Sequence, residues 1–481
     1  MTATSITSAQ VRAQVGHPII DADGHFVEVG PLLHDEIVGH LEEVGGAALR
    51  ERFLASTARA LDTSSALGNR SDLSVRAQWR SMPSWWGWQT HNVRDRATAH
   101  LPALLYERLD ELGIDFTILY PSMALGYFET TDVELSSAVC RAVNRANARA
   151  FAPYRDRCTV GAMVPMNTPE QAIAEAEYAV RELGARSLLV AEHVRRPVGV
   201  DGYRLDTFGI DSDYDYDPFW AKCVELGVAP VVHSSLQSHR VTRSISSYVY
   251  NHIDGLSAAH ESLCKALFLG GVTRRFPALR VGFLEGGVAW ACELFAGLVG
   301  HWEKRNGDEI WQLDPDRLDV DALVDYFGRY GDAEVVARLD EIRAYFSRPA
   351  ARPAVVDEFV ACEIESADDL RALFVPHFYF GCEADDPLVA WAFRDDVNPL
   401  GARMRPILGS DISHWDVPDM TEPVAEAFEL VERGVITEAD FRELTFTNPV
   451  RMHAGANPSF FVGTVCETAA RDTLAEDGGS G

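Results

Sequence analysis

Residues 19–25 read IIDADGH: an apolar pair, two carboxylates that alternate with small residues, and an imidazole. The apolar start predicts a buried strand over residues 18–23. Successive side chains of a strand point to opposite faces, so we expect Asp21, Asp23 and His25 to share one face. A carboxylate and an imidazole at a strand end suit a divalent metal ion, and an acidic turn beside a surface histidine is the alternative.

Short apolar runs of this kind recur along the chain and predict eight strands. They cover residues 18–23, 114–120, 158–164, 186–191, 228–233, 280–285, 377–382 and 406–411. Amphipathic stretches between them predict helices at residues 131–152, 169–183, 217–226, 258–275 and 368–373. This alternation favours an α/β protein with a (β/α)8 TIM barrel. A doubly wound open sheet is the alternative, but no GxGxxG or Walker lysine motif follows any predicted strand.

The composition excludes some classes of partner. The chain has 481 residues, 47% of them hydrophobic, and a formal net charge of −29. Nucleic acids and anionic membrane surfaces attract clustered Lys and Arg, so we expect neither as a partner. The eight cysteines stand singly without a CxxC pair, and no segment has the apolar length of a signal peptide or membrane span. We therefore expect a soluble, cytoplasmic protein with reduced thiols.

The spacing of the predicted strands indicates one catalytic domain with long insertions on the C-terminal face of the barrel, because the insertions follow strands. We expect a polar leader at 1–17, the domain at 18–465 with insertions near 26–113, 194–218 and 287–376, and a disordered tail at 466–481.

The first insertion contains a dense tryptophan cluster, formed by Trp85, Trp86 and Trp88. Such a cluster is typical of a lid over a bulky apolar ligand, of a local core, or of a subunit interface such as that of a homodimer. The sequence leaves these three interpretations open.

Acidic or imidazole side chains follow five of the eight predicted strands. They are Asp23 and His25 after the first strand, Glu192 after the fourth, His233 after the fifth, Glu285 after the sixth and Asp411 after the eighth. A convergent ring of these acids would repel itself strongly unless a cation neutralised it. The pattern therefore predicts a metal site where the strands end.

The DxH element of the first strand, His233 after the fifth and Asp411 on the eighth resemble the amidohydrolase superfamily. More narrowly, they resemble its amidohydrolase-related branch, which includes aromatic acid decarboxylases. The resemblance extends over residues 267–287 (LFLGGVTRRFPALRVGFLEGG), 409–416 (GSDISHWD) and the pair Asn448-Pro449. It implies metal ligands at Asp23, His25, His233 and Asp411, with Asp411 also a proton acceptor.

Two positions differ from patterns common in the superfamily. Asp23 stands where the usual first-strand motif HxH has its first His, and Glu285 stands where decarboxylase relatives often have a His before two glycines. Binuclear members have a bridging carboxylate at the fourth strand, where Glu192 lies. With Glu192 as the bridge, one divalent ion of iron, zinc or manganese would bind Asp23, His25 and Asp411, and a second would bind His233 and Glu285. The alternative is a single ion, with Glu285 beside its ligands and not bound to it.

These observations favour a metal-dependent hydrolase that attacks an acyl carbon with a metal-activated water. The substrate would be an amide, ester or thioester, with a bulky acyl-CoA as one specific example. Asp411 would carry the proton to the leaving group, and His252 and His414 are candidates for hydrogen bonding or oxyanion stabilisation. The alternatives are a non-oxidative decarboxylase of an aromatic or unsaturated acid, and a catalytically inactive metal-binding barrel.

Overall fold

The computed structural model describes residues 6–60, 82, 90–200, 202–233, 244–414 and 416–478. The tryptophan cluster of Trp85, Trp86 and Trp88 lies outside these residues, so the three interpretations of it stay open. Within the described ranges, no helix has both the length and the apolar character that crossing a bilayer requires. All eight cysteines are buried and free.

Eight parallel strands form one sheet, and a separate hairpin pairs two more strands in antiparallel fashion. The strands are β1 Ile20–Phe26, β2 Phe116–Pro121, β3 Cys158–Met163, β4 Ser187–Val190, β5 Val194–Val198, β6 Gly202–Asp206, β7 Pro230–Val232, β8 Val281–Phe283, β9 Phe378–Glu383 and β10 Pro406–Gly409. The order in the large sheet is β1-β2-β3-β4-β7-β8-β9-β10. Its two edges meet where the Asp411 backbone N–H donates to the Asp23 carbonyl over 3.0 Å, so the predicted TIM barrel is confirmed.

Helices connect the strands and cover the outside of the barrel. They are α1 Ser8–Gln14, α2 Gly30–Ala60, α3 Val93–His100, α4 Pro102–Arg108, α5 Val133–Phe151, α6 Pro169–Arg181, α7 Asp217–Leu226, α8 Tyr248–His252, α9 Gly255–Leu269, α10 Val272–Arg275, α11 Ala289–Arg305, α12 Val320–Tyr330, α13 Ala333–Ala337, α14 Leu339–Phe346, α15 Ala367–Phe374, α16 Pro423–Glu432, α17 Glu438–Arg442, α18 Asn448–Ala456 and α19 Glu467–Gly478. A π-helical turn, Glu443–Thr447, precedes α18. Residues 258–275, predicted as one helix, are α9 and α10, because Gly271 takes a left-handed φ of 72° between them.

Both faces of the barrel strands are buried, which explains their continuous apolar runs. On β2, Phe116, Ile118 and Tyr120 belong to the core inside the barrel, whereas Leu119 between them packs in the core beneath the helices. This alternation leaves the strand ends as the place where polar side chains can converge.

A β-bulge in β1 changes which of its side chains share a face. Asp21 pairs with Thr117 and Gly24 pairs with Leu119, so three steps along β1 match two steps along β2. The Thr117 hydroxyl donates to Asp21 over 2.7 Å, and the Ser410 backbone N–H donates to the other oxygen of Asp21 over 3.0 Å. The prediction that Asp21 shares a face with Asp23 and His25 is wrong, because the extra residue reverses the alternation.

We expect Gly24→Ala to lower the free energy of unfolding by about 1–3 kcal/mol through overpacking. A Cβ at Gly24 would lie 2.4 Å from an Asp21 carboxylate oxygen and 2.6 Å from the Thr117 hydroxyl. Urea denaturation measures the effect. The matched control is Gly39→Ala within α2, where a Cβ would meet no atom within 4 Å. Equal stability of the two variants would contradict the prediction.

Glu28 follows β1 and is buried, with one carboxylate oxygen accepting from the Met123 backbone N–H over 2.9 Å. Burial raises the pKa of Glu28 to about 7. The folded protein therefore holds this proton more tightly than the unfolded chain, and the resulting stability is lost as pH rises from about 4.5 to about 7.

We expect Glu28→Gln to be more stable than the natural protein at about pH 8, by about 3 kcal/mol at most. The amide keeps an acceptor for the Met123 N–H but carries no buried charge. Urea denaturation at about pH 5 and about pH 8 measures this, since the difference between the two proteins should shrink at the lower pH. A difference that does not depend on pH would refute the assignment to this carboxyl.

The structure corrects the predictions for the two ends of the chain. Within the leader 1–17, α1 buries Ser8 and Val11. The tail 466–481 is not disordered over its described part, because α19 occupies Glu467–Gly478 and buries Ala470. Each terminal helix buries a few of its side chains although the segment is polar overall, and composition alone does not reveal such a pattern.

Candidate metal centre

Four barrel strands bring five predicted side chains into two adjoining groups of donor atoms that share His25. They are Asp23 and His25 at the end of β1, His233 after β7, Glu285 after β8 and Asp411 after β10. The His25 and His233 Nε2 atoms are 3.0 Å apart. His25 Nε2 lies 3.5 Å from Asp23 Oδ1 and 3.3 Å from Asp411 Oδ1, and His233 Nε2 lies 3.1 Å from Glu285 Oε2.

These separations suit a shared metal ion. Two donor atoms that each lie ~2.1 Å from one ion are ~3.0 Å apart at a right angle and ~3.4 Å apart at a tetrahedral angle. Asp23 Oδ1 is buried and accepts no hydrogen bond from the described residues, and Asp411 is buried with His414 Nδ1 2.6 Å from its Oδ1. Buried carboxylate oxygens without partners are costly unless a cation binds them, so the residues present fit a divalent metal.

The electrostatics of the cluster lead to the same conclusion. Burial, with neighbouring carboxylates adding to it, raises the pKa of Asp23, Glu285 and Asp411 well above their usual values. Burial also lowers the pKa of His25, which keeps this imidazole neutral and able to bind a metal. A divalent ion among these groups would relieve the repulsion among the acids.

The backbone is strained at two of these positions. Glu285 has φ of 55° and Asp411 has φ of 48°, in the left-handed region that side chains other than glycine rarely adopt. Such conformations cost of order 1–3 kcal/mol and persist where surrounding structure holds them, often at functional sites. Here each one turns a carboxylate at the end of its strand into the barrel mouth.

The structure does not bring Glu192 into this cluster. Its carboxylate oxygen lies 3.4 Å from His260 Nδ1, and both side chains are fully buried. The other ring nitrogen of His260 lies 2.6 Å from the Leu284 carbonyl oxygen, immediately before Glu285. Through His260, Glu192 is thus connected to the backbone at the end of β8.

Of the two histidines predicted to assist the reaction, His414 lies within the cluster with His25, Glu285 and Asp411, and His252 lies beside Glu285. His414 stacks on His25 with 3.6 Å between ring centroids, and its Nδ1 is 2.6 Å from Asp411 Oδ1. Burial lowers the pKa of His414 to about 3. His252 Nε2 is 3.8 Å from Glu285 Oε1. Donor atoms of His252, Glu285 and Asp416 all lie within 4.8 Å of one another.

A cleft of about 450 Å³ opens beside these residues. Its lining includes Tyr248, His252, Glu285, Glu383 and Asp416. Partial burial and the charges of Glu285 and Asp416 raise the pKa of Glu383 to about 8. Glu383 was not predicted as a site residue, although it directly follows a predicted strand, which is the same signal that indicated the candidate metal ligands.

A parallel eight-stranded barrel with carboxylates and imidazoles at its strand ends defines the class of metal-dependent TIM-barrel enzymes. The sequence matches the amidohydrolase family over residues 20–361, and the chain therefore belongs to this family. The predicted superfamily is confirmed.

Comparisons with individual proteins refine this assignment. The chain is 30% identical over 157 residues to Decarboxylase orsB of Emericella nidulans, a match that covers 30% of this chain and 44% of that protein. The chain thus matches less than half the length of this curated relative.

Two solved structures are similar to this chain, and the first of them shares its fold. An amidohydrolase from Mycobacterium avium subsp. paratuberculosis K-10 is 15% identical, with a TM-score of 0.52, over 91% of this chain and 98% of that one. A dihydroxybenzoic acid decarboxylase from Polaromonas sp. JS666, with bound manganese and an inhibitor, is 16% identical, with a TM-score of 0.46, over 91% and 97% of the two chains.

The prediction of a hydrolase is wrong. The curated relative found by sequence is a decarboxylase, and this finding overturns the acyl-transfer interpretation together with its acyl-CoA substrate. The predicted metal ligands do not distinguish the two reactions, because the same ligands can hold an ion that activates water or an ion that binds a substrate carboxylate.

Proposed function

We propose that this protein is a metal-dependent, non-oxidative decarboxylase of an aromatic acid with a hydroxyl group beside its carboxylate. The sequence match to Decarboxylase orsB carries the decarboxylase part of the proposal, and the resemblance to the branch that includes aromatic acid decarboxylases supplies the substrate class. The cleft supports it, because none of the described residues that line it is Lys or Arg. Among these described residues, a bound metal ion would therefore be the source of positive charge for a carboxylate substrate.

We assign one divalent ion to the cluster of Asp23, His25, His233 and Asp411, with Glu285 at its edge. The short distances from His25 Nε2 to its neighbours support a single position, and the contact of Glu192 with His260 argues against a bridge there. A mixed set of carboxylates and imidazoles suits manganese, iron or zinc. When bound, the ion supplies the charge that holds the substrate carboxylate and its neighbouring oxygen.

The reaction replaces the bond between a ring carbon and the carboxylate with a bond to hydrogen, so the ring carbon must receive a proton. We assign Asp411 to this transfer, because it lies in one group with His25 and with Glu285, which lines the cleft. His414 is 2.6 Å from Asp411 and can return a proton to it after each turnover. The cleft of about 450 Å³ is in the size range that encloses small ligands.

The test uses the metal-loaded protein and 2,6-dihydroxybenzoate in deuterated water. We expect release of carbon dioxide and a product with one deuterium on the carbon that lost the carboxylate. The matched substrate is 4-hydroxybenzoate, whose hydroxyl is remote from the carboxylate, and we expect no turnover of it. If aromatic acids with an adjacent hydroxyl release no carbon dioxide while an aryl ester is cleaved, the proposal fails.

A further inference from the structure

A second cleft, of about 600 Å³, lies at the opposite end of the barrel, where the strands begin. Its polar lining consists of Arg280, Arg403, Arg405, Glu443, Asn448 and Arg451. Arg280 directly precedes β8, and Arg405 directly precedes β10. The described lining thus contains four arginines and one glutamate, so the cleft is basic although the net charge of the chain is −29.

Two of these guanidinium groups have no acidic partner within the described residues. No carboxylate oxygen there lies within 4.0 Å of Arg280 or Arg405, whereas Arg403 contacts Asp440 at 2.7 Å and Glu443 at 3.1 Å. Arg280 donates one N–H to the Ala278 carbonyl over 2.8 Å. Its Nε is buried and makes no hydrogen bond with a described residue.

The other contacts hold the basic groups at the cleft. Arg405 donates to the hydroxyl of Tyr379, a side chain buried inside the barrel. The arginines also act on the neighbouring His377, because burial together with the charges of Arg280 and Arg405 lowers the pKa of His377 to about 4. Val375, Met404 and Leu474 add apolar wall to the same cleft.

We propose that this cleft binds a small organic anion with at least two negative charges on phosphate or carboxylate groups. The planar guanidinium group presents paired N–H donors that match such oxyanions, and a compact arginine cluster favours multivalent ones. The volume is in the range of small-ligand sites, and the apolar wall offers contact for a carbon skeleton. The metal centre lies at the other ends of the same strands, so this site is separate from it.

Isothermal titration of the metal-loaded protein with inorganic pyrophosphate tests the proposal, and citrate serves as the carboxylate probe. We expect binding of at least one probe at one site per chain. Arg280→Gln should weaken it at least tenfold, and Arg280→Lys should restore part of it. The control Arg433→Gln removes an equal charge from an exposed position outside the cleft lining and should change the Kd less than twofold.

Arg451→Gln provides a second variant from the cleft if Arg280→Gln does not fold. Failure of both probes to bind the natural protein overturns the proposal. Equal affinities in Arg280→Gln and Arg433→Gln overturn it as well, because the anion would then bind at the metal centre or through the overall charge. Decarboxylation assays do not enter this test, so it stands or falls independently of the proposed function.

Discussion

His233→Ala is expected to remove the metal ion and to lower kcat by at least about 10³-fold. His233 Nε2 lies 3.0 Å from His25 Nε2 and 3.1 Å from Glu285 Oε2. The substitution therefore removes one of the donor atoms that would bind the ion. The three carboxylates of the cluster would then repel one another with fewer neutral donors to hold a cation. Elemental analysis of the purified variant measures bound metal, and a steady-state assay measures kcat.

The control for this variant is His301→Ala, which removes an exposed histidine from α11 outside the metal cluster. It should keep one ion per chain and the full rate. Stoichiometric metal and unchanged turnover in His233→Ala would remove this histidine from the ligand set. Two ions per chain in the natural protein would contradict the assignment of a single site.

Asp411→Asn is expected to lower kcat by about 10²–10⁴-fold, the range that a general acid contributes. The amide has nearly the same shape but cannot donate the proton that the ring carbon needs. The metal-free variant should be more stable than the metal-free natural protein, because the Asp411 carboxylate is buried beside Glu285 and Asp416. An assay of carbon dioxide release measures kcat, and thermal unfolding of the metal-free proteins measures their stability.

Asp385→Asn is the matched control, since it neutralises an exposed carboxylate near the end of β9. It should change neither measurement substantially. A loss of rate in Asp411→Asn together with a loss of stability would indicate a structural role instead. Full activity would exclude Asp411 from the proton transfer.

The barrel could be predicted from the sequence because its signals are local. Each strand is a short apolar run, and several helices end in glycines such as Gly184 and Gly227, which have left-handed φ values of 66° and 63°. The site residues followed from the same signals, since parallel strands of a barrel all end on one face. Asp23, His25, His233, Glu285 and Asp411 were predicted in this way and meet in the structure.

Features that depend on distant residues could not be predicted. Glu192 lies 3.4 Å from His260 on α9, a residue far from it in the sequence. The bulge that separates Asp21 from His25 depends on the register with β2, far along the chain. The reaction type was misjudged because a donor set of carboxylates and imidazoles does not distinguish hydrolysis from decarboxylation.

By itself, the sequence determined the alternation of strands and helices, the superfamily, and the strand ends that carry metal-binding groups, because apolar patterning and strand polarity act within a few residues. Only the tertiary structure decided that, within the IIDADGH stretch, Asp23 and His25 lie in the candidate metal cluster while Asp21 bonds to Thr117 and Ser410. It also brought Arg280 and Arg405 to one cleft at the far end of the barrel. Both outcomes depend on pairing between segments far apart in the chain, which fixes where each side chain points.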